Sequence, residues 1–193
     1  MPLWLAFPIA TLNVALCYLP SHEAQHRIIA REGEPLFWLN ELVGHLSPIP
    51  MLLPYGVARL THYEHHLHTI APRQPGSATG GNYGKALARI GTDEARRAGL
   101  VAAIYTLAYH AILFAFAWSG YAIEAALIWW LPRILGTTYI QFYLSWAPHH
   151  PAEEMGRYRD TRAFRSRVGV LLSSGMPFHI LHHLYPRIPL LRH

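Results

Sequence analysis

The chain has 193 residues and a formal net charge of +5, with 52% apolar and only 14% charged residues. Soluble domains carry about 25% charged residues, so this composition argues against a soluble protein and indicates one that lies in a membrane. The single cysteine, Cys17, excludes an internal disulfide and any cysteine-based zinc or iron–sulfur site.

The N-terminal half predicts one spanning helix and a broken apolar segment. Residues 3–19 are apolar, uncharged and roughly long enough to cross a bilayer, and they lack the features of a cleaved signal peptide. Residues 42–60 are also apolar but contain three prolines, which favours a re-entrant or interfacial segment. Turn-forming residues predict a loop at 71–84, and residues 85–97 predict a short polar helix on the membrane surface.

Two further apolar segments, residues 99–118 and 122–146, predict a hairpin of spanning helices with a tight reversal at 119–121. The second segment contains Pro132 and Arg133 near its middle. Because an arginine in lipid is costly, we expect Arg133 either to face the protein interior or to snorkel from a tilted helix.

Three histidine boxes carry the chemical signal. Their histidines are spaced i, i+4 in box one and i, i+3, i+4 in boxes two and three, so each box lies on one face of a helix. Box one is His22 and His26, box two is His62, His65 and His66, and box three is His179, His182 and His183. Imidazole alone does not select the metal. Zinc is usually satisfied by four ligands, whereas eight histidines suit two iron ions that keep positions open for oxygen.

The basic residues predict the topology. They follow box one, surround box two and precede box three, whereas the reversal at 119–121 carries none. The positive-inside rule therefore places all three boxes on the cytoplasmic side. Because membrane topology accounts for the positive charge, we do not predict nucleic-acid binding. We predict an all-α integral membrane protein with about three spanning helices, re-entrant or interfacial helices and a cytoplasmic histidine-rich cap. Residues 1–193 form a single domain in this prediction, and a bacterial-type inner membrane is the expected location.

Some alternatives stay open at this point. Residues 22–26 match the H-E-x-x-H pattern of zinc metalloproteases, with Glu23 as general base, but a protease leaves boxes two and three unexplained. Glu23 and Glu64 are otherwise expected to orient an imidazole by accepting its N–H. Either His149 or His150 can supply a ninth ligand or lie in an interfacial loop. A non-catalytic metal-binding membrane protein is a further alternative.

The ordered boxes His-x3-His, His-x2-His-His and His-x2-His-His resemble those of the membrane fatty acid desaturase superfamily, which also contains hydroxylases and carotenoid oxygenases. Residues 179–189 are similar to that family's third box and its proline-containing tail. Residues 130–149 and the Arg/Ser-rich residues 162–167 resemble the carotenoid ketolase branch, which favours His149 over His150 as the ninth ligand. Box one lacks the Asp and Gly that are usual in that branch, so the choice between acyl chain and carotenoid stays open.

This resemblance implies an O2-dependent, non-haem di-iron oxidoreductase that desaturates or hydroxylates a long apolar lipid. A fatty acyl chain is the first expectation and a carotenoid ring the second. The implied metal ligands are the eight box histidines and His149, with no further catalytic residue. The implied partners are the lipid bilayer, the apolar substrate and an external electron donor such as a ferredoxin, which an arginine-rich cytoplasmic face can dock. Family members have a helical hairpin before box one, whereas only one span fits here. We therefore expect either an N-terminus truncated by one spanning helix or a protein without the helix that would shield the substrate tunnel.

Overall fold

The computed structural model describes residues 1–67, 83–149, 161–173 and 176–192. All regular elements in these ranges are helical, as predicted. The first five are α1 (Leu3–Gln25), α2 (Phe37–Leu46), α3 (Tyr55–Leu67), α4 (Tyr83–Ile90) and α5 (Asp93–Trp118). The later ones are α6 (Ala122–Ala125), α7 (Leu131–Ile140), α8 (Arg167–Leu172) and α9 (His179–Leu184). Short 3-10 turns cover Ile49–Met51, Ala147–His149, Met176–Phe178 and Leu190–Arg192.

Two of the described helices, α1 and α5, are long and apolar enough to cross a membrane. Their most apolar 18-residue windows have mean hydropathies of 1.6 and 1.9. Only 6% of the α5 window is buried within the protein, and Leu107, Phe114 and Trp118 are among its exposed side chains. An apolar helix with so little protein cover is typical of one that faces lipid.

The third predicted span, residues 122–146, is helical throughout but irregular. A π-helical segment (Ala126–Trp130) separates α6 from α7, and a second one (Gln141–Trp146) follows α7. Pro132 lies at the start of α7. A proline ring has no N–H and clashes with the carbonyl four residues before it, and the wider π turn accommodates that break. That this segment spans the membrane stays a prediction.

The Arg133 side chain contacts another part of the protein. Its guanidinium carbon lies 5.1 Å from the centroid of the Tyr109 ring on α5, a cation–π distance. Its Nε is buried, and Tyr109 is only 1% exposed. Of the two expectations for Arg133, the structure therefore favours the one that points into the protein.

Some predicted boundaries were wrong. The expected polar helix at 85–97 is two elements, because Gly91 adopts a φ of +65° and ends α4. Thr92 then caps α5 by accepting a hydrogen bond from the Ala95 N–H (3.1 Å). The loop expected at 71–84 lies outside the described residues except for Tyr83 and Gly84, which begin α4. The proline-rich region is broken as predicted, into α2, a 3-10 turn and α3.

A very close helix contact joins α1 to α7 at Gly136. A Cβ placed on Gly136 would lie 2.7 Å from Val14 Cγ1, 2.9 Å from Val14 Cβ and 3.0 Å from the backbone nitrogen of Ala15. Only glycine permits this approach. The contact lies beside the buried apolar cluster that contains Val14, Tyr18 and Ile140, so it fixes α1, and with it box one, against α7.

Candidate metal centre

Box one lies at the C-terminal end of α1. The helix continues past the predicted residue 19, through Pro20, and ends at Gln25, so that His26 caps it. The last carbonyls of a helix have no intrahelical partner, but here they receive side-chain donors. The Tyr55 hydroxyl (2.9 Å) and the Asn40 amide (3.0 Å) both donate to the Ala24 carbonyl. Tyr63 donates to the Gln25 carbonyl (2.8 Å). Side chains of α2 and α3 thus hold the end of α1 in place.

Boxes two and three occupy α3 and α9, and His149 ends a 3-10 turn after the second π-helical segment. The nine predicted ligands come together from these four elements. His62 is partly exposed, and each of the others is at most 8% exposed. His150 lies outside the described residues.

The histidines form two groups of four. Group one is His22, His26, His62 and His182, and group two is His65, His149, His179 and His183. Within each group, one ring nitrogen from every residue lies within 4.8 Å of those of the others. Each group therefore offers four nitrogens to one cation.

Boxes two and three each contribute to both groups. In α9, the i, i+4 pair His179 and His183 belongs to group two and His182 to group one. In α3, His62 belongs to group one and His65 to group two. The two helices therefore bridge the two groups, and neither group can form from a single box.

His66 lies at the boundary of the two groups. Its Nε2 is 3.0 Å from Nε2 of His62 and 3.0 Å from Nε2 of His182. Its ring centroid is also 4.5 Å from that of His183 in group two. His66 is thus positioned to add a fifth nitrogen to group one while contacting group two.

The donor chemistry fits metal ions. A neutral imidazole has only one N–H, so three Nε2 atoms that converge at about hydrogen-bond distance cannot all be paired with one another. A cation that accepts their lone pairs removes this conflict. Imidazole nitrogen suits iron, zinc, copper and nickel alike, and the presence of two adjacent groups provides for two ions.

Burial keeps the three histidines of box three neutral. Burial, reinforced by the surrounding histidines, lowers the pKa of His179 and His182 well below the usual value for histidine. The pKa of His183 is lowered for the same reasons. The neutral ring is the form that binds metals, so these positions are ready for ligation without losing a proton at neutral pH.

A cavity lies in front of both groups. His22 and His62 of group one and His65 and His179 of group two form part of its wall. Apolar side chains, including Leu53, Ile140 and Leu144, line it as well. Residues of both groups thus border one cavity.

The structure adds contacts that sequence reasoning missed. Thr161 Oγ1 lies 3.3 Å from Nδ1 of His149, which leaves the other ring nitrogen to face the group. Glu23 has a different partner from the predicted imidazole, since its Oε1 accepts a hydrogen bond from the backbone N–H of Leu190 (3.0 Å). Long-range contacts of this kind leave no local signal in a sequence. The expectation that Glu64 orients an imidazole by accepting its N–H stays a prediction.

Comparisons with known proteins found one family and several relatives. A family model described as fatty acid desaturase matches residues 1–89 and 80–193. An sn-1 acyl-lipid omega-3 desaturase (ferredoxin) of Nostoc sp. is 38% identical over 71 residues, which cover 34% of this chain and 18% of that protein. An sn-1 oleoyl-lipid 12-desaturase of Synechocystis sp. is 36% identical over 70 residues, covering 34% and 19%. The enzyme of that name from Anabaena variabilis is 34% identical over 70 residues, with the same coverage.

These alignments span less than a fifth of each relative's length. No solved structure matches the chain significantly. The three relatives are acyl-lipid desaturases, and the resemblance to carotenoid ketolases stays a prediction.

Proposed function

This chain belongs to the fatty acid desaturase family, and we propose on that basis that it introduces a double bond into a fatty acyl chain of a membrane lipid. The observation that carries the proposal is the pair of four-histidine groups, which share α3 and α9 and face one cavity. The relatives named above act on acyl lipids, so an acyl chain is the first substrate and a carotenoid ring the second.

The proposed metal ligands are the nine clustered histidines. Group one with His66 provides five nitrogens and group two provides four, which suits two non-haem iron ions. Two bound irons, with O2 as co-substrate and two electrons from outside, would supply the oxidising power that removes hydrogen from an unactivated C–H bond. The Nostoc relative is named as a ferredoxin enzyme, so a ferredoxin-like protein is the proposed donor.

The protein's own part is to position the substrate and exclude water. The wall of histidines determines where the reacting carbon lies, and Leu53, Ile140 and Leu144 give an acyl chain an apolar surface beside it. Burial favours the neutral form of the three box-three imidazoles, which is the form that binds a metal ion.

We extend the proposal to the membrane. Residues 1–193 form one desaturase-like domain in which α1, α5 and the segment 122–146 cross the bilayer of a bacterial-type inner membrane. The basic residues near the boxes support a cytoplasmic position for the metal centre.

The zinc protease is not favoured by the geometry. His22 and His26 are joined by His62 and His182, so the H-E-x-x-H pair belongs to a four-histidine group. Glu23 is engaged by the Leu190 N–H. The pattern in box one therefore has another explanation.

The function is tested by expression in two hosts, one profiled for new acyl double bonds and one that accumulates β-carotene. The parent chain and the control His110→Ala should produce new acyl double bonds, because His110 is an exposed residue of α5. His65→Ala and His182→Ala should abolish them while the protein stays in the membrane fraction. Oxidised carotenoid without new acyl double bonds would refute the acyl substrate, and metal binding without either product would favour a non-catalytic protein.

A further inference from the structure

The segment that follows α9 returns to α1. The Tyr185 N–H donates to the Leu181 carbonyl (2.7 Å) and the Ile188 N–H to the Tyr185 carbonyl (3.0 Å), so the chain turns twice before the 3-10 turn at Leu190–Arg192. Leu190 is 3% exposed and belongs to the buried apolar cluster that also contains Val14 and Tyr18 of α1. We call residues 185–192 the C-terminal tail.

One polar bond fixes this tail to box one. Glu23, which lies between His22 and His26, accepts the Leu190 N–H across a sequence separation of 167 residues. A carboxylate that accepts a backbone N–H makes a charge-assisted hydrogen bond, which is stronger than a neutral one. Leu190 is therefore held through both its side chain and its backbone.

The tail matters because α9 is too short to be stable alone. It has six residues, and isolated helices shorter than about 12 residues are marginal in water. Yet α9 supplies His182 to group one and His179 and His183 to group two. A displacement of α9 would therefore disturb both groups at once.

We propose that Glu23 is a positioning residue that latches the C-terminal tail onto α1 and thereby holds box three in the metal centre. This inference rests on the proposed function, because it concerns the same metal centre. In this proposal Glu23 acts neither as a general base nor as a metal ligand. The substitution Glu23→Gln would retain a side-chain oxygen that accepts the Leu190 N–H, whereas Glu23→Leu would not.

The first test is amide hydrogen exchange of the tail, measured by mass spectrometry on the full chain in detergent. Glu23→Leu should speed exchange in the tail by about tenfold, the factor expected for a lost hydrogen bond to a charged group. Glu23→Gln keeps the acceptor oxygen but loses its charge, so its exchange rate should lie between those of the parent and Glu23→Leu. Glu34→Leu is the matched control, because Glu34 also accepts a backbone N–H, from Arg31 (2.8 Å), but at an exposed local turn.

The second test is the rate at which iron is lost to a chelator. Glu23→Leu should release both irons several-fold faster than the parent, and Glu23→Gln should release them at a rate between the two. Leu190→Ala opens the tail without altering box one, so it should release both irons faster even if Glu23→Leu fails to fold.

Two results would overturn the proposal: tail exchange in Glu23→Leu at the parent rate, or an opened tail with unchanged iron release. A parent chain that binds no iron would instead refute the proposed function. The exchange experiment would still decide the contact between Glu23 and Leu190, so the two failures are distinguishable.

Discussion

The close contact of α1 and α7 can be tested with a single methyl group at Gly136. In Gly136→Ala the new Cβ would lie 2.7–3.0 Å from Val14 and from the backbone of Ala15. Non-bonded carbons prefer about 3.5–4.0 Å, so the helices must separate by roughly 0.5–1 Å. Overpacking of this kind costs about 1–3 kcal/mol.

Alanine also has an intrinsic advantage over glycine in helices of about 1 kcal/mol, and a matched variant removes it from the comparison. Gly99→Ala in α5 has the same gain, but its Cβ would meet only Leu87 Cδ1 at 3.7 Å, an ordinary contact. Gly136→Ala should therefore be about 1–3 kcal/mol less stable than Gly99→Ala. For a chain of this size that corresponds to a melting temperature about 2–12 °C lower.

The same displacement should reach the metal centre. His22 lies eight residues beyond Val14 on α1, roughly 12 Å along the helix, and metal–ligand distances tolerate only about 0.2 Å. Thermal unfolding in detergent and iron content should be measured on both variants. If Gly136→Ala melts at or above Gly99→Ala and retains the same iron, the close-packing explanation is wrong.

Three further variants test individual parts of the site. His66→Ala should lower iron content, because one side chain contacts both groups, whereas His110→Ala should leave it unchanged; equal iron in the two variants would remove His66 from the ligand set. Tyr55→Phe deletes a hydrogen bond to the last turn of α1 and should lower the free energy of unfolding by about 0.5–1.5 kcal/mol. An unchanged melting temperature would show that this bond does not fix α1. Thr161→Val should weaken iron binding about 10–100-fold in chelator competition, because it removes the contact that orients His149; an unchanged affinity would contradict that role.

The sequence predicts the helical class and the eight box histidines because both depend on local spacing, whereas only the family resemblance favoured His149. Box spacing places imidazoles on one face, and the structure brings the same nine residues together. Spacing does not reveal how the groups are divided. His65 and His66 are adjacent in the chain, yet His65 lies in group two whereas Nε2 of His66 contacts group one.

Features that depend on tertiary contacts were missed. The sequence predicted a helix that ends at residue 19, just before Pro20, whereas α1 continues to Gln25. Side chains of α2 and α3 make this extension possible because they donate hydrogen bonds to the last carbonyls of α1. The partner of Glu23 is distant in sequence and donates through its backbone, so no side-chain pattern indicates it. The break between α4 and α5 depends on the positive φ of Gly91 and the Thr92 cap, which the charge pattern of residues 85–97 conceals.

The central claim is that two histidine groups, bridged by α3 and α9, hold two metal ions in one chain. Metal analysis of the protein purified from iron-supplemented cells tests it most directly. We expect two irons per chain in the parent, and loss of iron when either His65 of group two or His182 of group one is replaced by alanine. A single zinc ion per chain would contradict it.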